Sequence, residues 1–150
     1  EPEWVDTETL VRDVGFMLAL PPGFALDVQR PLPQLFTERV PLETVLRNLI
    51  GNAIKHHDHP EDGWARISAE DKGDWVEFTV ADNGPGIDPQ HHERIFQVFQ
   101  TLKPRDQVEG SGIGLAVVKK TVENQGGKVS LLPHPARGAT FCFTWPKRAP

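Results

Sequence analysis

The chain has 150 residues, the size of one ordinary domain, and a formal charge of −5 from 16 basic and 21 acidic side chains. It has no long basic run, which argues against nucleic acid as the main partner. No stretch approaches the ~20 apolar residues of a membrane span, so no membrane contact is expected of it. The single cysteine, Cys142, excludes an internal disulfide and fits a reducing, cytoplasmic compartment.

In chain order, Asp6 is placed to cap a first helix over residues 7–19, with an apolar stripe of Leu10, Val11, Val14, Met17 and Leu18. Pro21, Pro22 and Gly23 stop it, and residues 24–29 alternate as a strand does. Pro31 and Pro33 break that strand, and a short extended piece is expected at 35–37. Pro41 then sits in the first turn of a helix over 42–57, with Leu42, Val45, Leu46, Leu49, Ile50, Ala53 and Ile54 on one apolar arc. At about 100° per residue, Asn48, Asn52 and Lys55 fall together on one edge of that arc. Two amide oxygens and an ammonium there suit a hydrated Mg²⁺ carrying phosphates. An ordinary surface edge is the alternative, although asparagine is a poor helix former.

Residues 58–63 read as a loop, and 64–70 and 75–81 as two strands around a turn at 71–74. In the second strand Val76, Phe78 and Val80 point one way, Glu77 and Thr79 the other. The strand runs into Asp82-Asn83-Gly84-Pro85-Gly86-Ile87. A carboxylate there can accept from an exocyclic amine of adenine, while Gly84 and Gly86 let backbone pass close to a flat ring. A plain turn has the same signature. Asp88 and Pro89 open a short helix, Phe96 and Phe99 follow, and residues 100–109 read as a mobile flap.

Gly110-Ser111-Gly112-Ile113-Gly114-Leu115 leads into a helix ending near Gln125, with Gly126 and Gly127 as its stop. Backbone N–H groups at such a helix start favour phosphate, and a flexible hinge is the competing reading. A Walker loop is excluded because no Gly-Lys-Ser/Thr follows, and a Rossmann turn because no strand immediately precedes. Strands at 128–132 and 139–145 close the chain. The expected fold class is a two-layer α/β (α+β) sandwich: a mixed, largely antiparallel sheet covered on one face by three helices.

Taken together, these segments resemble the N, G1 and G2 boxes of the GHKL superfamily, most closely the catalytic and ATP-binding domain of sensor histidine kinases. Arg94-Ile95-Phe96-Gln97-Val98-Phe99 is similar to that family's F box, and Gly138-Ala139-Thr140-Phe141 to its last glycine box. The resemblance implies the Bergerat fold, with ATP held under a flexible lid. It implies that Asn48 and Asn52 hold Mg²⁺, that Lys55 contacts phosphate, and that Asp82 reads adenine with Gly84, Gly86 and Ile87 against it. Gly110, Ser111, Gly112, Ile113, Gly114 and Leu115 would meet the phosphates, with Phe96, Lys103, Arg105 and Thr140 as further nucleotide contacts. Lys103 and Arg105 read equally well as solvated lid charges.

GHKL enzymes that hydrolyse ATP carry a general-base glutamate one turn before the second asparagine. That position is Asn48 here, and Glu43 lies about 140° away around the helix. This favours a kinase over a hydrolase. The resemblance implies a histidine acceptor on a separate dimerisation hairpin of the same protein and a response regulator downstream, with the 150 residues forming a single ATP-binding domain. A GHKL ATPase and a nucleotide-gated interaction module remain the alternatives. His92-Glu93 matches the acceptor dipeptide but lies inside the nucleotide domain and is rejected. His56, His57 and His59 are read as a cationic helix end rather than a metal site, His56 standing where the family often has an aromatic residue. Cys142, between Thr140 and Thr144, reads as a buried apolar residue.

Overall fold

The computed structural model describes residues 1–97, 114–133 and 137–149. The expected flap, Phe99, Lys103, Arg105, and Gly110 through Ile113 lie outside them. The chain runs β1 (Glu3–Asp6), α1 (Thr7–Leu18), β2 (Ala25–Val28), β3 (Gln34–Thr37), α2 (Arg39–Lys55), β4 (Trp64–Lys72), β5 (Trp75–Asp82), α3 (Gly114–Asn124), β6 (Val129–Leu132) and β7 (Thr140–Pro146), with short 3₁₀ turns between.

Asp6 caps α1 as expected: its Oδ1 accepts from the N–H of Glu8 at 3.0 Å and of Thr9 at 3.3 Å. The helix stops at Ala19, in the left-handed region at φ 53°. Leu10, Val11 and Val14 are buried, but Met17 is half exposed, which corrects the expected stripe. The buried arc is instead shifted toward Gly15, where an added Cβ would stand 2.6 Å from Leu26 Cδ2. That rotation leaves Met17 at its edge.

The main sheet has the order β2-β4-β5-β7-β6. β2 runs parallel to β4 and every other neighbouring pair is antiparallel, so the sheet is mixed and largely antiparallel as anticipated. Lys72 to Trp75 is a two-residue hairpin with Gly73 at φ 84°. The expected piece at 35–37 does form, but outside this sheet. As β3 it pairs antiparallel with β1, a strand too short to show periodicity, and the chain's end joins it where Phe36 N–H donates to the Lys147 carbonyl.

The helices cover the face lined by Ile67, Phe78, Val80, Phe141, Phe143 and Trp145, all buried. α2 lies between α1 and α3 and packs on β4 and β5. Its Leu42, Val45, Leu46, Leu49, Ile50 and Ala53 are all buried, as the arc required. Truncating one of them, Leu49→Ala for instance, would cost about 2–5 kcal/mol. Phe78 stacks on Phe143 with centroids 5.1 Å apart, and Trp145 Nε1 donates to Thr37 Oγ1 at 2.9 Å, so the deepest polar groups are paired. Cys142 is buried on the other face beside Thr79, where burial pushes its thiol up and leaves it a poor nucleophile. Among the described residues no helix is long and apolar enough to cross a membrane.

Candidate functional site

The site is built where the last turns of α2, the start of α3 and the turn after β5 meet. Asn48 is half buried, and its Nδ2 donates to the Thr44 carbonyl at 2.7 Å, which fixes the amide. A Cβ added to Gly114, the first residue of α3, would stand 2.9 Å from Asn48 Oδ1. The helix start can therefore approach the amide oxygen only because that residue is glycine. Leu115, next along, is half buried against the core.

At the other end of α2, His57 lies against the turn. A Cβ on Gly84 would be 3.6 Å from His57 Cδ2 and 3.8 Å from its Cα. Asn52 stands between these two contacts along the chain, about 6 Å along the helix axis from Asn48. α2 and the residues just after it thus touch both the start of α3, through Asn48, and the Asp82 turn, through His57. Lys55 is exposed at the end of α2. Glu43 is engaged elsewhere, 3.8 Å from Arg39 Nε.

Asp82 is the last residue of β5 rather than just beyond it, and is buried. Its Oδ1 accepts from Gly84 N–H at 2.9 Å and Ala139 N–H at 3.2 Å. Two backbone donors on one oxygen hold the carboxylate in a single orientation. Behind it the turn is pressed against Gly138: Gly86, at φ 82°, would carry a Cβ 2.9 Å from the Gly138 carbonyl oxygen. Gly138, at φ 112°, would place a Cβ 2.1 Å from the Asp82 carbonyl oxygen. The last glycine box is thus the backing of the first, and Thr140 begins the strand leading away from it.

Ile87 is half buried on the core, and its carbonyl accepts from His92 Nε2 at 3.2 Å. Asp88 caps the short turn Pro89–His91, as its spacing indicated, by accepting from Gln90 N–H. Phe96 packs edge-on against Phe141 with centroids 6.1 Å apart. A cavity of about 330 Å³ opens beside the turn, lined by Gly86, Ile87, His92, Leu131, Gly138 and Ala139 among others.

The pattern of the family described as histidine kinase-, DNA gyrase B- and HSP90-like ATPases matches residues 37–149. The chain belongs to this family. Within it, the ATP-binding domain is similar to Phytochrome-like protein Cph1 of Synechocystis, 40% identical over 77% of this chain and 15% of the relative. It is 32% identical to the Adaptive-response sensory kinase SasA of Prochlorococcus marinus, over 96% of this chain and 39% of the relative. The chain spans well under half the length of these curated relatives. Its fold superposes on ShkA, solved in complex with AMPPNP, with TM-score 0.81 at 31% identity, over 100% of this chain and 32% of that one. The catalytic domain of histidine kinase ThkA gives 0.81 at 28% identity, over 99% and 97%. The sequence-level resemblance to histidine kinase catalytic domains therefore holds, in sequence and in fold.

Three residues that hold the turn carry little signal in the sequence. By spacing His57 reads as part of a cationic helix end; in the fold its side chain is 1% exposed and both ring nitrogens are engaged. Asn83 and Arg137 hold the turn from its two sides, and the only local signal for either was adjacency to a glycine of a recognised motif. Arg137 donates to the Asn83 carbonyl at 2.9 Å and pairs with Asp58. The guanidinium holds the Asp58 carboxyl below the usual carboxylate range.

Proposed function

We propose that this chain is the Mg·ATP-binding catalytic domain of a cytoplasmic two-component sensor histidine kinase. It passes the γ-phosphoryl group to a histidine on a separate dimerisation hairpin of the same protein, from which a response regulator takes it. The observation that carries the reading is Asn48. The position from which a hydrolytic relative would deprotonate water holds an amide, locked by Thr44 and facing the start of α3. An amide takes no proton, and Glu43, held by Arg39, faces elsewhere.

The donor set fits magnesium: amide oxygens from Asn48 and Asn52 supply neutral ligands, and the nucleotide supplies the charge. The ion, when bound, offsets charge on the β- and γ-phosphates. Asp82 receives the exocyclic amine of adenine, with Gly84, Gly86 and Ile87 along the ring. Lys55 faces phosphate from the end of α2. The backbone N–H groups from Gly110 to Leu115 meet the phosphates at the helix start, and Phe96, Lys103, Arg105 and Thr140 complete the nucleotide's surroundings. In the transfer a bond forms between the acceptor imidazole nitrogen and the γ-phosphorus. The attacking nitrogen is the unprotonated one of the neutral ring; the bond from that phosphorus to the bridging oxygen breaks, ADP leaves, and the proton on the other ring nitrogen passes to solvent water. None of this asks the domain for a base. Its own groups orient the nucleotide and balance charge as it shifts to the leaving oxygen.

The test is to mix the chain with a helical hairpin carrying an acceptor histidine and with ATP labelled at the γ-phosphate. Label should appear on the hairpin histidine and stay negligible on the chain alone. Release of labelled phosphate at the same rate with or without the hairpin would show a hydrolase. Tight nucleotide binding with neither outcome would show a nucleotide-gated interaction module.

A further inference from the structure

The turn that follows β5 begins beside the acid assigned to the base, and Asn83, between Asp82 and Gly84, ties it to segments far away in sequence. Asn83 Oδ1 accepts from Trp64 N–H at 2.8 Å and lies 2.8 Å from His57 Nε2. Its Nδ2 donates to the Asp62 carbonyl at 3.0 Å, which settles which amide atom is oxygen. His57 Nε2 therefore carries the proton and donates to that oxygen. His57 Nδ1 accepts from His59 N–H at 2.9 Å, consistent with the same tautomer. The ring is clamped between these bonds and stands edge-on to Phe24, centroids 6.0 Å apart. Asp58 Oδ1 lies 3.7 Å from Nδ1 and also holds Arg137, whose Nε donates to the Asn83 carbonyl. Asn83 is thus bound through its side chain to α2's end, the 59–63 turn and β4, and through its carbonyl to the loop before β7.

We propose that His57 is a positioning residue for base recognition, setting the Asp82 turn through Asn83. It sits two residues beyond Lys55 on the chain that carries the magnesium-binding edge, and so ties that edge to the base-reading acid. The inference rests on the assignment of Asp82 to adenine made above. It explains why a polar ring is buried at the end of α2 where an apolar one would pack as well against Phe24: only the polar ring can satisfy Asn83 Oδ1 from that side.

The experiment titrates the chain with non-hydrolysable analogues of ATP and GTP, for the native protein, His57→Phe, His57→Gln and Asp82→Asn, each checked for folding by its urea midpoint. Phenylalanine keeps the ring's packing and removes its hydrogen bonds. Glutamine keeps a donor near the place of Nε2. His57→Phe should lower the preference for ATP over GTP about tenfold, the scale of one buried partner removed, and His57→Gln should restore most of it. An unchanged ATP:GTP ratio in His57→Phe, whatever its stability, overturns the proposal, because a residue that only props the fold would lower the midpoint and leave the ratio alone. Should His57→Phe not fold, the ¹⁵N spectrum of the native chain decides. A protonated Nε2 whose signal moves on adding the ATP analogue supports the coupling, and a protonated Nδ1 or an unresponsive ring rejects it. Asp82→Asn separates the two readings. Loss of base preference there with none in His57→Phe sinks only the positioning role, whereas no loss in Asp82→Asn sinks the base assignment itself.

Discussion

The two ends of β5 make an instructive pair. Each has a glycine nearby in the left-handed region, Gly73 at φ 84° and Gly86 at φ 82°. At the hairpin end nothing lies within 4 Å of where a Gly73 Cβ would go. At the Asp82 end, Gly86 and Gly138 are pressed against each other's backbone and that of Asp82. Gly73 answers a local demand for a backbone angle. Gly86 and Gly138 answer that demand and a second one, the close approach of segments far apart in sequence. A positive φ and crowding coincide at the end to which the proposed base recognition is assigned, and the hairpin end shows a glycine turn with the angle alone.

That contrast can be broken in several ways. The largest effect is expected from Asp82→Ala, which removes the acid assigned to the base and leaves the N–H groups of Gly84 and Ala139 without their acceptor. Affinity for an ATP analogue should fall by about a hundredfold or more in a calorimetric titration, and stability with it. Gly138→Ala follows: strain at φ 112° and a backbone clash should cost about 3 kcal/mol in urea unfolding and weaken nucleotide binding in the fraction that folds. Asn52→Ala should leave the fold intact but remove the gain in ATP affinity that Mg²⁺ confers, roughly tenfold, measured by titration with and without the ion.

Acid sharpens the comparison at the surface. Asp27, Asp58 and Asp71 are each held below the ordinary carboxyl value of 3.8, chiefly by Arg66, Arg137 and Lys147 in turn. A carboxyl lowered on folding contributes stability that is fully present above its unfolded value and is lost as pH falls through its folded one. Urea midpoints should therefore be flat down to the ordinary carboxyl range and drop below it, and Arg137→Ala should make the drop shallower by removing the share of Asp58. The smallest effect belongs to Gly73→Ala: about 1 kcal/mol from the backbone angle alone, with nucleotide affinity unchanged. Loss of affinity there would mean that the two ends of β5 are coupled, which the packing gives no route for.

Much of the fold was legible because it is local. The arc of Leu42 to Ala53 predicts a buried face from spacing alone, and Asp6 caps the helix it appears to cap. Gly126 and Gly127 end α3 through N–H bonds to the carbonyls of Glu123 and Val122, the pattern expected of a glycine at that position. Where local signals ran short, so did the reading. Strand β1 has four residues and no periodicity to show, and β3 was placed correctly as a strand while its partner could not be inferred. Met17 fits the stripe by angle yet is half exposed, while Gly15, outside the stripe, is the residue that meets Leu26.

By itself the order of residues determined the helices, the hairpin and the segments to which the proposed site chemistry is assigned, since a helix edge, a D-x-G-x-G turn and a glycine-rich run are each written within a few neighbouring positions. The tertiary structure alone decided what holds them in register. His57 meets Asn83 across 26 positions, Arg137 reaches the Asn83 carbonyl across 54, and the same arginine pairs with Asp58 across 79. A histidine at a helix end and an arginine in a loop look the same in sequence whether they face water or the groups of Asn83. Only the folded chain brings the partner that tells them apart, because hydrogen bonds depend on distances of about 3 Å that spacing along a chain does not constrain.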